Sequence, residues 1–119
     1  IAAQLGGATV VDPPGGLRRT GRMQRVAERM AGPTWALLPN AAGFIDPLHS
    51  TGIAQTLCGV ERIVEILPEH WKRPTFGGRL ADYERTLRRE FRVVDRIVAG
   101  GYASRRVFPL FAQFAMLYF

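Results

Sequence analysis

With 119 residues, 47% of them hydrophobic, the chain is long enough for one compact domain with a real core and too apolar for a disordered tail. The net charge is +6, carried by 16 basic residues of which one, Lys72, is lysine and the other 15 are arginine. That balance favours anionic surfaces but does not by itself point to nucleic acid. A single cysteine, Cys58, excludes an internal disulfide and a cysteine-rich metal site, and no run of about 20 apolar residues is present to span a membrane.

A reducing, cytoplasmic setting fits the cysteine usage, and the first residues carry no signal-peptide pattern. In chain order, ATVVD at residues 8–12 predicts a short strand closed by the PPGG turn at 13–16. RMQRVAERMAG at 22–32 reads as a short helix stopped by Gly32 and Pro33, with Met23, Val26 and Met30 as its apolar stripe. TWALLP at 34–39 reads as a buried strand.

From Thr51 the pattern is helical. Ile53, Leu57, Val60, Val64 and Leu67 recur on one face, and Pro68 is expected to end the helix. Ala54, Cys58 and Gly59 are small enough to admit another backbone, and Cys58 is expected as a small buried residue. Residues 69–78 read as a loop.

A second helix is predicted over residues 80–98, with Leu80, Tyr83, Leu87, Phe91, Val94 and Val98 inward. Arg85, Arg88, Arg89, Arg92 and Arg96 lie on its other face, where Glu84, Glu90 and Asp95 interleave as local partners. Gly100 and Gly101 are expected to stop it, and Ser104 to cap a third segment that carries Pro109 near its first turn. Residues 107–119 are so apolar that they are expected to be covered, which predicts self-association. The chain opens on Ile1 and stops at Phe119 inside that run, which predicts a piece of a longer chain.

The stretch NAAGFIDPLHSTGIA, residues 40–54, concentrates the constrained residues. Ala41, Ala42 and Gly43 remove side-chain bulk, and Asp46-Pro47 fixes a turn. Ser50, Thr51 and Gly52 then open a helix whose first N–H groups have no partner inside it and favour an anion or a polar ligand edge. These are the parts of a ligand cradle. They also describe a capped helix after a tight turn, and the residues alone leave both readings open.

The segment GFIDPLHSTGIA, preceded by Ala-Ala, resembles the third flavin-contacting motif of FAD-dependent monooxygenase-type oxidoreductases, and most of all the flavin-dependent halogenases. The resemblance is strong over about fifteen residues and looser through the helix that follows and LADYE. It implies FAD as cofactor, a small-molecule organic substrate, and contacts to the flavin from Asn40, Ala41, Ala42, Gly43, Asp46, Pro47, Ser50, Thr51, Gly52 and Ile53. It also implies a halide beside Thr51 and Gly52. Two places depart from the family's pattern: Pro39-Asn40 replaces a Gly-Asp pair, and His49 stands where tryptophan-type halogenases carry an acidic residue. His49 is the candidate acid or base.

No GxGxxG is present, so the resemblance implies a dinucleotide-binding region in a part of the chain outside these residues. The expected fold is mainly α with short β-strands (α+β), as a fragment of a larger FAD-binding α/β fold. Residues 1–39 would end the flavin-domain sheet region, 40–67 hold the flavin-contacting turn and helix, and 68–119 form a helical region. The alternative is a basic helical module whose Arg85, Arg88, Arg89, Arg92 and Arg96 face binds an anionic partner. Nucleic acid is not expected, because aromatic residues for base stacking are missing from that face.

Overall fold

A computed structural model describes residues 6–7, 21, 23–46 and 51–116. The order is β1 (Arg25–Val26), α1 (Pro39–Ala42), β2 (Gly43–Phe44), α2 (Thr51–His70), α3 (Phe76–Ser104) and α4 (Phe108–Met116). The fold is mainly helical with short β-strands, as the sequence predicts, the strands forming one antiparallel pair among the described residues. The strand expected at 8–12 lies outside the described residues.

The two strands pair antiparallel, Arg25 opposite Phe44 and Val26 opposite Gly43. The Ala27 N–H donates to Ala42 O at 2.7 Å and extends the ladder. Residues 30–37 form a tight hairpin. Leu37 N–H donates to Met30 O, Gly32 N–H donates to Trp35 O, both at 2.8 Å, and Ala31 bridges Ala36. A Cβ on Gly32 would stand 2.3 Å from the Trp35 indole nitrogen, so the turn is built around a missing side chain.

This corrects the helix expected at 22–32. The segment is extended, with Met23 and Val26 exposed and Met30 fully buried. Its backbone groups are held by residues 36–37 and 42–44, and pairing between distant segments overrides a three-residue stripe. The strand expected at 34–39 is also corrected. Ala36 and Leu37 are one hairpin arm, Trp35 and Leu38 are exposed, and Pro39 opens α1. Leu38 is extended, as a residue before proline must be, and Pro39 sits where its missing N–H costs nothing.

Helix α2 contains Pro68 and continues to His70, beyond its expected end. Lys72, in the left-handed region at φ 59°, turns the chain after it. Helix α3 begins at Phe76, so the link is shorter than the loop expected at 69–78, and it runs through Gly100 and Gly101 to Ser104. A Cβ on Gly100 would stand 2.3 Å from the Phe114 ring, so this glycine is the seat of α4 rather than a stop signal. Ser104 is the last residue of α3, not the cap of the next helix, and its hydroxyl donates to Gly101 O at 2.9 Å. Pro109 lies in the first turn of α4, where it is tolerated.

The core forms along α3. Tyr83, Leu87, Phe91 and Val98 pack with Met30, Ala42 and Ile45, and Leu80 packs with Phe76 and Ala31. The predicted stripe of α3 is therefore the buried one, with Val94 half-buried beside it. The stripe of α2, apart from Leu67 at its end, is not. Ile53 is 67% and Leu57 65% exposed, and Val60 and Val64 are exposed as well. The face α2 turns inward carries Gly59, Ile63, Ile66 and Leu67.

Cys58 is exposed, not buried. Helix α4 has no buried residue, and Phe108 and Met116 are each 75% exposed, so the cover expected over 107–119 is not present among the described residues. No helix among the described residues is long and apolar enough to cross a membrane.

Candidate functional site

Asn40 and Ala41 are exposed, residues 42–46 are buried or half-buried, and Gly52 and Ile53 reach the surface in the first turn of α2. Ala42 and Gly43 are buried, and a Cβ on Gly43 would stand 2.8 Å from Phe91 Cζ and 3.2 Å from Arg25 O. Their smallness lets β2 lie between α3 and β1. Ile45 is buried behind them and Asp46 is half-buried. Pro47, His49 and Ser50 lie outside the described residues, as does the side chain of Thr51, whose backbone opens α2.

The two ends of the stretch meet in space. Asn40 lies on α1 and Gly52 in the first turn of α2, yet a Cβ on Gly52 would stand 2.7 Å from Asn40 Oδ1 and 3.9 Å from Nδ2. The Asn40 carboxamide therefore rests on the bare Cα of Gly52. Pro39, the neighbour of Asn40, makes the same kind of contact one layer deeper. A Cβ on Gly59 would stand 2.4 Å from Pro39 Cδ, 2.7 Å from Cγ and 3.2 Å from the Tyr83 hydroxyl. Glycines seven residues apart on α2 thus receive consecutive residues of α1.

Two hydrogen bonds set the frame. Tyr83 donates to Leu37 O at 2.9 Å, and burial pushes its phenol above the ordinary value, so the donor proton stays in place. Thr56 donates to Gly52 O at 2.7 Å within the first turns of α2. Asn40, Ala41 and Ile53 are exposed and Gly52 is half-exposed, so the surface patch offers a carboxamide, a methyl group and a helix N-terminus. A carboxamide donates and accepts, and first-turn N–H groups favour a polar or anionic ligand edge. This donor set fits a ribityl hydroxyl and a flavin edge.

Asp46 is tied from a distance. Tyr102, on α3, donates to Asp46 Oδ2 at 2.8 Å. Nothing local in the sequence announces this pair, which spans 56 positions. Below β2, a groove of about 230 Å³ is floored by Met30, Ile45 and Phe91 and rimmed by Arg88 and Arg92. Among the described residues no cluster of His, Cys, Asp and Glu is able to hold a metal ion.

The arginines of α3 are partly engaged. Arg88 donates to Glu84 Oε1 through Nε at 3.0 Å and Nη2 at 2.5 Å, and also to Glu28 O. Arg85 pairs with Asp82. Glu90 reaches across to α2, where Arg62 donates to both its oxygens at 3.0 and 2.5 Å.

Glu84 also accepts the Ala31 N–H at 3.2 Å, which ties α3 to the hairpin. Hydrogen bonding from Arg88 holds its carboxyl below the usual range, against a smaller opposing effect of burial, and the backbone at Met30 and Ala31 adds to the lowering. A depressed carboxyl stabilises the fold above its unfolded value, and that contribution is lost as pH falls through the folded value. Glu84→Gln is therefore expected to cost about 1 kcal/mol at neutral pH. The gap to the wild type should close as pH falls below the ordinary value of about 4.3. Urea midpoints across that range check it, and a gap independent of pH would refute the assignment.

Residues 2–109 match the sequence pattern of the family described as tryptophan halogenase. The chain belongs to the tryptophan halogenase family. The family is of the flavin-dependent halogenase type, so a flavin cofactor and halogenase-like oxidoreductase chemistry apply to it at that level. Tetracycline 7-halogenase of Kitasatospora aureofaciens is 53% identical over 38 residues, 32% of this chain. The matched stretch spans only 7% of that relative's length. No solved structure gives a significant match.

Proposed function

We propose that this chain supplies the flavin-contacting turn and the substrate-side helices of a flavin-dependent halogenase-like oxidoreductase. Residues 40–67 carry the flavin-contacting part, residues 1–39 end the sheet region of the flavin domain, and residues 68–119 form the substrate side. Asn40, Ala41, Gly52 and Ile53 would face FAD, and Ala42 and Gly43, buried behind them, would hold the backbone that presents them. Asp46, Pro47 and Ser50 would shape the turn, Thr51 and Gly52 would lie beside the halide, and His49 would face the reaction space. FAD, when bound, supplies the oxidative chemistry. The remaining contacts to its dinucleotide portion would come from a region of the same protein outside these residues, and the substrate is a small organic molecule.

The observation that carries this reading is the seat of Asn40 on Gly52. It places an exposed carboxamide beside the first turn of a 20-residue helix, from residues twelve positions apart in the motif. The engagement of Arg85 and Arg88 with partners inside the chain speaks against the basic interaction module.

The test is native mass spectrometry of the protein purified from its natural source. One FAD per chain is expected, and Asn40→Ala should weaken FAD binding about 3- to 10-fold, the worth of one hydrogen bond. A natural protein that carries no flavin and takes none up would sink the proposal.

A further inference from the structure

Helix α3 overruns the end its sequence predicts by six residues, from Val98 to Ser104, and the overrun has a destination. It places Tyr102 against Asp46, with the phenol donating to Oδ2 at 2.8 Å. We infer that Tyr102 is a positioning residue for the flavin-contacting turn, acting through Asp46; this rests on the proposed function above.

Three observations support the assignment. The last turns of α3 are fixed from outside, because the Phe114 ring of α4 is seated on Gly100, two residues before Tyr102. The Arg105 guanidinium lies over the Tyr102 ring, 4.6 Å from its centroid, and Arg105 Nε donates to the backbone Tyr102 O at 3.4 Å. Asp46 is the last described residue before the segment that leads into α2, and it follows buried Ile45. Ile45 fixes the chain in the core just before Asp46, and α3 holds the Asp46 side chain. A hydrogen bond to a carboxylate is stronger than a neutral one. The helix that would form the substrate side therefore holds Asp46, the residue from which the proposed flavin-facing turn departs.

The test has two arms. In the natural protein, amide hydrogen exchange is followed at Gln55 and Thr56, among the first amides bonded inside α2, in Tyr102→Phe, Asp46→Asn and the double variant. Loss of one hydrogen bond is expected to speed exchange there about 3- to 10-fold, with the double variant no faster than either single one. Unchanged exchange, or additive effects, overturns the tether. In the natural protein with its flavin, Tyr102→Phe should shift the visible absorption of bound FAD and weaken its binding by a similar factor, although Tyr102 is not proposed to touch it. Faster exchange with an unshifted flavin spectrum confines Tyr102 to a structural role and overturns the proposal. A natural protein without flavin is a different failure. It removes the functional reading, and with it the role proposed for Tyr102, while the exchange arm reports separately on the tether.

Discussion

Leu87→Ala is expected to lower the unfolding free energy by about 2–5 kcal/mol, and Leu57→Ala to change it by less than about 0.5 kcal/mol. Both are leucines in the middle of a predicted apolar stripe. Leu87 is fully buried in α3 between Tyr83 and Phe91, over Met30. Its truncation leaves a cavity that rigid neighbours close only in part. Leu57 on α2 is 65% exposed, and alanine is at least as good a helix former. A domain of this size has roughly 6–18 kcal/mol in total, so the first change removes a visible share. Urea unfolding followed by far-ultraviolet circular dichroism measures both. An equal loss at Leu57 would mean that the outer stripe of α2 is covered.

That contrast shows what the sequence carried and what it did not. A helical period reports which residues share a face, and both stripes do. It does not report which way the face points. For α3 the two coincide, because its large residues meet the hairpin and β2. For α2 they do not, because Gly59 and Gly52 let α1 approach closely on the side where side chains are small. Close backbone approach at a glycine displaced the larger apolar residues outward.

The local signals misled where distant pairing decided. Met23, Val26 and Met30 have helical spacing, yet residues 25–27 are bound to 42–44 and residues 30–32 to 35–37. Gly100 reads as a stop signal, yet it is a docking surface for Phe114, and a helix in contact with a neighbour runs through a residue that would end it in isolation. The candidate site was legible as a motif, from Ala41-Ala42-Gly43 and Ser50-Thr51-Gly52. Its assembly was not. The contacts of Asn40 with Gly52 and of Tyr102 with Asp46 are facts of three-dimensional placement, with no local trace in residue type.

The second large effect is a reversal of sign between two helical glycines. Alanine is favoured over glycine in a helix by up to about 1 kcal/mol. At Gly101 a Cβ would meet nothing within 4 Å among the described residues, so Gly101→Ala is expected to stabilise the chain by about 0.5–1 kcal/mol. At Gly59 the same methyl would stand 2.4 Å from Pro39 Cδ. A proline ring has no rotamer by which to swing aside, and Pro39 is itself fully buried, so α1 has to shift as a body. Overpacking of this kind costs about 1–3 kcal/mol, which exceeds the helix gain, so Gly59→Ala is expected to destabilise on balance. The displacement would also carry Asn40, the next residue, away from Gly52, and under the proposed function FAD uptake by the natural protein would weaken in step. Urea midpoints of the two variants decide the matter. Stabilisation by both would mean that Pro39 and Gly59 do not set the position of α1, and the seat of Asn40 on Gly52 would lose its support.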